Sequence, residues 1–278
     1  MSIPQRWRLT LPLAIPSLGG LAYLAAFEAP LRLLAVNAGA LAVGLMWVMF
    51  GRMPRGQKAR LALAGGAALA LFVPLLTGPI VGGVARWLPA GPVSLHSGAL
   101  MLPLITVIAA RERAWGPALL ALAGAALALQ PDAASLLGLG LACAVLAAMA
   151  RSLTHATVSL AALGLAAATF GAGTLEPQVF TESVLVQVWQ SAPLFALALG
   201  GLLFFVPAWL LMRSPLVPRA EGAALVAVLS GSGLAAVLAP FPYPLIGYGA
   251  APILGFALAL AALGNQRQTE AESSADRV

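Results

Sequence analysis

Charge is what this sequence has least of. Asp, Glu, Lys and Arg make up only 9% of its 278 residues, against about a quarter in an ordinary soluble domain, so too few charges exist to cover a water-exposed surface. The single cysteine, Cys143, lies in the apolar run GLACAVLAAM, which excludes an intrachain disulfide or a thiolate metal cluster and leaves it as a small packing residue. Walker, HExxH and GxSxG patterns are absent. The two histidines, His96 and His155, stand far apart with no acid or thiol at metal-ligand spacing. Neither a metal nor a cofactor is therefore expected.

Apolar sequence fills the chain instead. Hydrophobic residues account for 61% of it and mean hydropathy is +0.95. Since a membrane helix needs about 20 apolar residues, the runs predict ten spans, at 10–27, 33–51, 61–80, 96–110, 115–130, 133–150, 153–172, 188–212, 221–239 and 248–264. The fold class expected is all-α, a polytopic integral membrane protein whose single transmembrane domain occupies 1–264, with a polar, disordered cytoplasmic tail at 265–278. The first span follows Arg6 and Arg8 but lacks a small-x-small cleavage site before Glu28, which reads as a retained helix.

Ten spans put both termini on one side. With that side cytoplasmic, the inner segments hold Arg6, Arg8, Arg52, Arg55, Lys58, Arg60, Arg111, Arg113, Arg151, Arg213, Arg219, Arg267 and Arg277, which is 13 of the 15 basic residues. Only Arg32 and Arg86 fall outside, as the positive-inside rule requires of an N-in, C-in protein. The high pI, near 10.7, therefore reports orientation and not nucleic-acid binding.

The outward-facing polar set is small: Glu28, Arg32, Arg86, Asp132, Glu176 and Glu182, with His96 nearby. Three outer segments carry more than a connector needs. Residues 78–98, GPIVGGVARWLPAGPVSLHSG, break any helix with Gly and Pro and read as a re-entrant or surface-lying loop that presents Arg86, Trp87, His96 and Ser97. Arg86 there either caps a helix end and snorkels, with Trp87 as an interface anchor, or reads a lipid phosphate. In LALQPDAAS, residues 127–135, Pro131 divides two spans and Asp132 is placed to N-cap the sixth helix. Residues 239–255, APFPYPLIGYGAAPILG, are too rich in Pro and Gly for regular helix, and at membrane depth such backbone must be buried in protein or line a cavity.

Taken in order and on one face, these segments resemble the SEDS family of bacterial cell-wall proteins, the RodA and FtsW type. The family pattern Gly-x-x-Arg-Trp-Ile/Leu followed by Gln-Pro-Ser-Glu appears here as GVARWL and then SLHSG, with Arg86, Trp87 and Ser97 in correspondence and His96 and Gly98 at departing positions. Gln-Pro-Asp-Leu-Gly-Thr appears as QPDAAS, keeping Gln130, Pro131 and Asp132. The Pro- and Tyr-Gly-containing motif appears as YPLIGYGAAP, keeping Pro244, Leu245, Ile246, Tyr248 and Gly249 but losing its serines.

The resemblance implies a ten-helix, multi-pass protein of the bacterial inner membrane, concerned with peptidoglycan, cell shape or cell division. It further implies a polyprenyl-phosphate-linked membrane lipid and a penicillin-binding protein as partners. Ligand-binding candidates are Arg86, Trp87, His96, Ser97, Gln130, Asp132, Tyr243 and Tyr248. The family's catalytic aspartate lies in a long loop between helices seven and eight, whereas this chain has only GTLEPQVFTESVLVQVW there, so the polymerase segment is missing. Glu176 and Glu182 are the carboxylates left as catalytic candidates, for a lipid-linked-sugar glycosyltransferase if the chain is an enzyme at all. Two other readings stay open here: an accessory or scaffold subunit of a larger membrane complex, and a lipid or small-solute transporter or flippase.

Overall fold

The structure is a computed structural model that describes residues 6–91, 93–172 and 178–263. The expected tail at 265–278 lies outside the described residues. Ten apolar segments follow one another as the hydropathy predicts. The first two are α1 (Leu11–Ala26) and α2 (Leu31–Phe50). The third is α3 (Gln57–Ala70) with the short α4 (Val73–Thr77), and then come α5 (Ser97–Arg111), α6 (Gly116–Leu129), α7 (Ala133–Ala150) and α8 (Leu153–Thr169). The eighth is built from α9 (Val184–Ser191), α10 (Pro193–Gly200), a π-helical turn (Gly201–Phe205) and α11 (Val206–Arg213), and the last two are α12 (Arg219–Leu238) and α13 (Ala250–Leu263). Five of these segments are long and apolar enough to cross a bilayer by themselves, and the other five are shorter apolar helices.

Proline explains where the segments break. Pro193 has no N–H to donate and disfavours helical backbone at the residue before it, and Ala192 accordingly leaves the helix at φ −145°, ψ 73°. Pro207 withholds a donor from the turn above it, where the π-helical turn ends. Pro74 opens α4 in the same way after the break at residues 71–72.

The loop at 78–98, expected as re-entrant or surface-lying, contains an antiparallel hairpin of β1 (Trp87–Ala90) and β2 (Val93–His96), in register Trp87 with His96 and Ala90 with Val93. Period-two structure was not legible in so short and glycine-rich a stretch.

Close helix crossings hold the bundle together. At the crossing of α7 and α12, a Cβ on Gly231 would lie 2.6 Å from the Cα of Gly138, and one on Gly138 would lie 2.9 Å from the carbonyl of Val228. Small residues permit this approach where lipid tails give helices no hydrophobic reason to associate.

Ion pairs fasten the arginine-rich end. Arg60 reaches Glu112 at 2.6 Å, Gln57 donates to the same carboxylate at 2.8 Å, and Arg111 contacts Glu221 at 2.9 Å while donating to the Ala262 carbonyl at 3.2 Å. Arg6 donates to the carbonyl of Gly51 at 2.9 Å. These contacts join the starts of α1, α3 and α12 to the ends of α2, α5 and α13 at the end that the charge partition calls cytoplasmic.

Burial opposes ionisation of Glu112, but the hydrogen bonds from Gln57 and Arg60 and the charges of Arg60 and Arg111 outweigh it and hold the carboxyl below its ordinary 4.5. A depressed folded-state pKa contributes stability above that value and loses it as pH falls through the depressed one. Melting temperature is therefore expected to drop on acidification below about pH 4.5 and to depend less on pH there in Glu112→Gln, which thermal unfolding of the detergent-purified protein measures.

Candidate functional site

The three outer segments meet over a cavity of about 520 Å³. Arg32, Arg86, Trp87, His96, Glu182 and Tyr248 line its polar part, and Phe170, Leu102, Val228, Leu229 and Phe256 line its apolar part. Val228 lies ten residues (238 − 228) below the outer end of α12, roughly 15 Å at the helical rise per residue. The cavity thus reaches about halfway into a hydrocarbon layer of about 30 Å.

Arg86 is 6% exposed and organises the outer end. Its Nε donates to the carbonyl of Gln130 at 3.2 Å, and one terminal nitrogen donates to the carbonyls of Pro131 and, at 3.0 Å, Ala172. Gln130 closes α6, and Ala172 follows the end of α8, so the guanidinium sits where two helices leave their last carbonyls without partners. The helix-end reading of this residue is what its hydrogen bonds show, and it lines the cavity as well. Burial lowers its pKa, against the fields of Asp132 and Glu182, which raise it, but a guanidinium starts so high that it stays charged.

Ser97, Gln130 and Asp132 form a polar layer behind the cavity wall. Ser97 Oγ donates to Gln130 Oε1 at 3.0 Å, and Gln130 Nε2 donates to the Leu71 carbonyl. Asp132 caps α7 as its position predicted, with Oδ1 accepting from the Ser135 N–H at 3.2 Å. Its Oδ2 is buried without a hydrogen-bond partner and lies 3.6 Å from His96 Nε2. Gly98 makes this proximity feasible, since a Cβ there would lie 2.5 Å from Oδ2.

His96 in turn caps α5. Its Nδ1 accepts from the Ala99 N–H at 3.2 Å, which places the remaining ring proton on Nε2, toward Asp132. Burial lowers its pKa, Asp132 raises it and Arg86 lowers it further, for a net shift downward that keeps the ring neutral at pH 7. The edge of the Trp87 ring meets it at 88°, with centroids 6.3 Å apart.

The segments 178–183 and 239–249 are stitched together by backbone. Tyr243 N–H donates to Thr181 O at 3.1 Å, Tyr248 N–H donates to Phe180 O at 2.7 Å, and Glu182 bridges to Pro242. Phe180, Ser183 and Leu245 all carry positive φ, near 60–70°, a conformation that costs L-residues about 1–2 kcal/mol each and persists only where surrounding contacts impose it. The result is a Glu182 carboxylate at the cavity wall, with Oε2 accepting from Gln178 N–H at 3.2 Å. Burial raises its pKa, partly offset by that N–H and by Arg86. Tyr248 lines the cavity, while Tyr243 is buried beside it with its hydroxyl unpartnered. The other catalytic candidate, Glu176, lies outside the described residues.

Two participants carry no motif. Asn37 is buried on α2, where its amide donates to Gly247 O at 3.0 Å and accepts from Gly249 N–H at 3.0 Å, fixing the loop that bears Tyr248. A lone amide in an apolar run was the available signal. Arg32, in the first turn of α2, lines the same cavity as Arg86.

No protein-family profile matches the sequence, and no curated protein matches it. Among solved structures it is similar to the rod shape determining protein RodA of Thermus thermophilus, with a TM-score of 0.66 at 21% identity over 92% of this chain and 94% of that one. A point variant of the same RodA gives TM-score 0.66 and 21% identity over 92% and 95%. A chain from a peptidoglycan synthase complex, solved for its coordination of polymerization and crosslinking, gives 0.59 and 22% over 94% and 98%. The chain therefore has the multi-pass SEDS-type membrane fold that its loop motifs led one to expect.

Proposed function

We infer that this protein is a SEDS-like component of the bacterial inner membrane. It holds an anionic, polyprenyl-linked precursor of the cell wall in its outward cavity, and a membrane protein of the penicillin-binding type is its partner. The observation that carries this reading is a cavity lined both by the cations Arg32 and Arg86 and by apolar side chains as deep as Val228. That division suits an amphiphile with a phosphate head and a hydrocarbon tail, and it suits a small polar solute poorly.

Native mass spectrometry of the detergent-purified protein, with bound lipids identified by fragmentation, tests this. A polyprenyl-phosphate species is expected on the wild type and is expected to be displaced in Val36→Trp, which fills the cavity from a half-buried position on α2. Ordinary phospholipid on both forms, or a protein bound at fixed stoichiometry without such a lipid, transfers the assignment to an accessory subunit.

Glu182 favours a second reading, glycosyl transfer. It is the carboxylate lining the cavity among the described residues, and burial raises its pKa toward the range where a carboxylate can accept a proton from a sugar hydroxyl. Glu182→Gln is then expected to abolish turnover of a lipid-linked disaccharide while lipid retention persists. Unchanged turnover assigns Glu182 to the loop architecture alone.

A further inference from the structure

His96 stands between two helix starts and serves only one of them. Its Nδ1 accepts the Ala99 N–H at the start of α5, and its Nε2 faces Asp132 Oδ2 across 3.6 Å, longer than a hydrogen bond. That oxygen is buried with no hydrogen-bond partner, while the other carboxylate oxygen already caps α7 through the Ser135 N–H. A buried carboxylate oxygen left unpaired is costly, and a cationic donor is the partner that stabilises it most. A doubly protonated ring is such a donor, but it carries a proton on each nitrogen and has no lone pair left for the Ala99 N–H. The two helix starts therefore compete for one side chain, and the number of protons on the ring decides between them.

We propose that His96 and Asp132 form a proton-operated latch on the cavity wall, in which uptake of a proton by His96 releases the first turn of α5 and closes an ion pair onto Asp132. The proton comes from water, to which the His96 side chain is 18% exposed, and adds to the Nδ1 lone pair. The hairpin turns this exchange into movement. His96 pairs with Trp87 across it, Ser97 N–H donates to the Arg86 carbonyl at 2.9 Å, and the Arg86 guanidinium is already bound to Gln130 and Pro131, next to Asp132. A protonated His96 thus draws the hairpin toward the turn between α6 and α7 and away from α5, and Ala99 and Ser135, at the two competing helix starts, both line the cavity. The latch does not depend on what the cavity binds.

The charged groups that face the ring are Asp132 from α7 and Arg86 from the hairpin, with Arg32 from α2 and Glu182 from the loop before α9 lining the same cavity. The first turn of α5 brings no charge. Burial opposes the protonated ring most, Asp132 favours it and Arg86 opposes it, which holds its pKa below the ordinary 6.5. The neutral ring's contribution to stability is therefore complete above pH 6.5 and is lost as pH falls through the depressed value, a window that opens above that of Glu112.

Hydrogen exchange of the full-length, detergent-purified protein, read by mass spectrometry at about pH 7.5 and about pH 5, on either side of the ordinary histidine value, and corrected for intrinsic exchange, tests the latch. On acidification wild type is expected to lose protection about tenfold in the peptide that holds Ala99, the value of one hydrogen bond. His96→Gln is expected to keep it at both pH values, because a glutamine accepts the Ala99 N–H and donates toward Asp132 but takes up no proton. Asp132→Asn, which retains a good N-cap for α7, is expected to move the loss to lower pH, since the charge that favours the protonated ring is gone. His155→Gln, which removes the only other histidine, is expected to behave as wild type. Full protection of wild type at the lower pH overturns the latch. An equal loss in His96→Gln also overturns it and assigns the transition to a carboxylate such as Glu182. If His96→Gln fails to accumulate, Asp132→Asn decides alone, and a transition that it leaves unmoved overturns the latch.

Discussion

Arg86→Ala is expected to destabilise the protein by about 2–4 kcal/mol through the buried acceptors it orphans, and to strip bound anionic lipid. The substitution leaves the carbonyls of Gln130, Pro131 and Ala172 without their common donor at the ends of α6 and α8, and each buried acceptor so orphaned costs about 1–3 kcal/mol without full additivity. The hairpin bearing Trp87 and His96 then loses its anchor to both helices. Arg86→Lys is expected to fall between the two, because an ammonium lacks the planar fork that reaches several carbonyls together. Thermal unfolding in detergent, read beside lipid content by mass spectrometry, separates the structural from the binding loss. Stability within about 0.5 kcal/mol of wild type, the range of ordinary surface substitutions, would contradict the clamp.

Gly255→Leu is expected to prevent assembly of the bundle, and Gly255→Ala to cost about 1–3 kcal/mol, as overpacking does. The backbone of α13 approaches α5 so closely at Gly255 that a Cβ would strike the Ala99 carbonyl and lie 2.7 Å from that of Leu100. Neither atom is the end of a flexible side chain, so relief requires the helices to part, and both helices wall the cavity. Gly39→Ala is the matched control. A Cβ there meets nothing within 4 Å, and exchanging glycine for alanine inside a helix is worth roughly 0.5–1 kcal/mol of added stability. Expression yield and melting temperature should therefore move in opposite directions for Gly255→Ala and Gly39→Ala; a loss of similar size in both would remove the close-approach argument.

Much of the site was legible before any coordinates. Asp132 was placed as an N-cap by its position after Pro131, and it caps α7. The Pro- and Gly-rich stretch at 239–255 was expected to be buried in protein or to line a cavity, and Phe241, Tyr248 and Ala250 line the cavity. His96 was legible as a polar group of the outer face but not as the cap of α5, since its bond to the Ala99 N–H depends on how the hairpin feeds the helix. Asn37 escaped because it belongs to no motif, and Arg32 was legible as an outer cation but not as a neighbour of Arg86 in one cavity. Asn37 meets its partners Gly247 and Gly249 across more than 200 residues of chain.

The sequence by itself determined the order of the apolar helical segments and which three segments would carry polar chemistry. Hydropathy, proline content and the distribution of arginine are local properties, and a bilayer reads them segment by segment. Only the tertiary structure decided that Arg86 binds the ends of two helices, that Ser97, Gln130 and Asp132 stand behind the cavity wall, and that Arg32 shares the cavity with Arg86. Those outcomes depend on which distant segments meet, and in this bundle that is set by backbone contact at glycines such as Gly138, Gly231 and Gly255, whose partners no local pattern names.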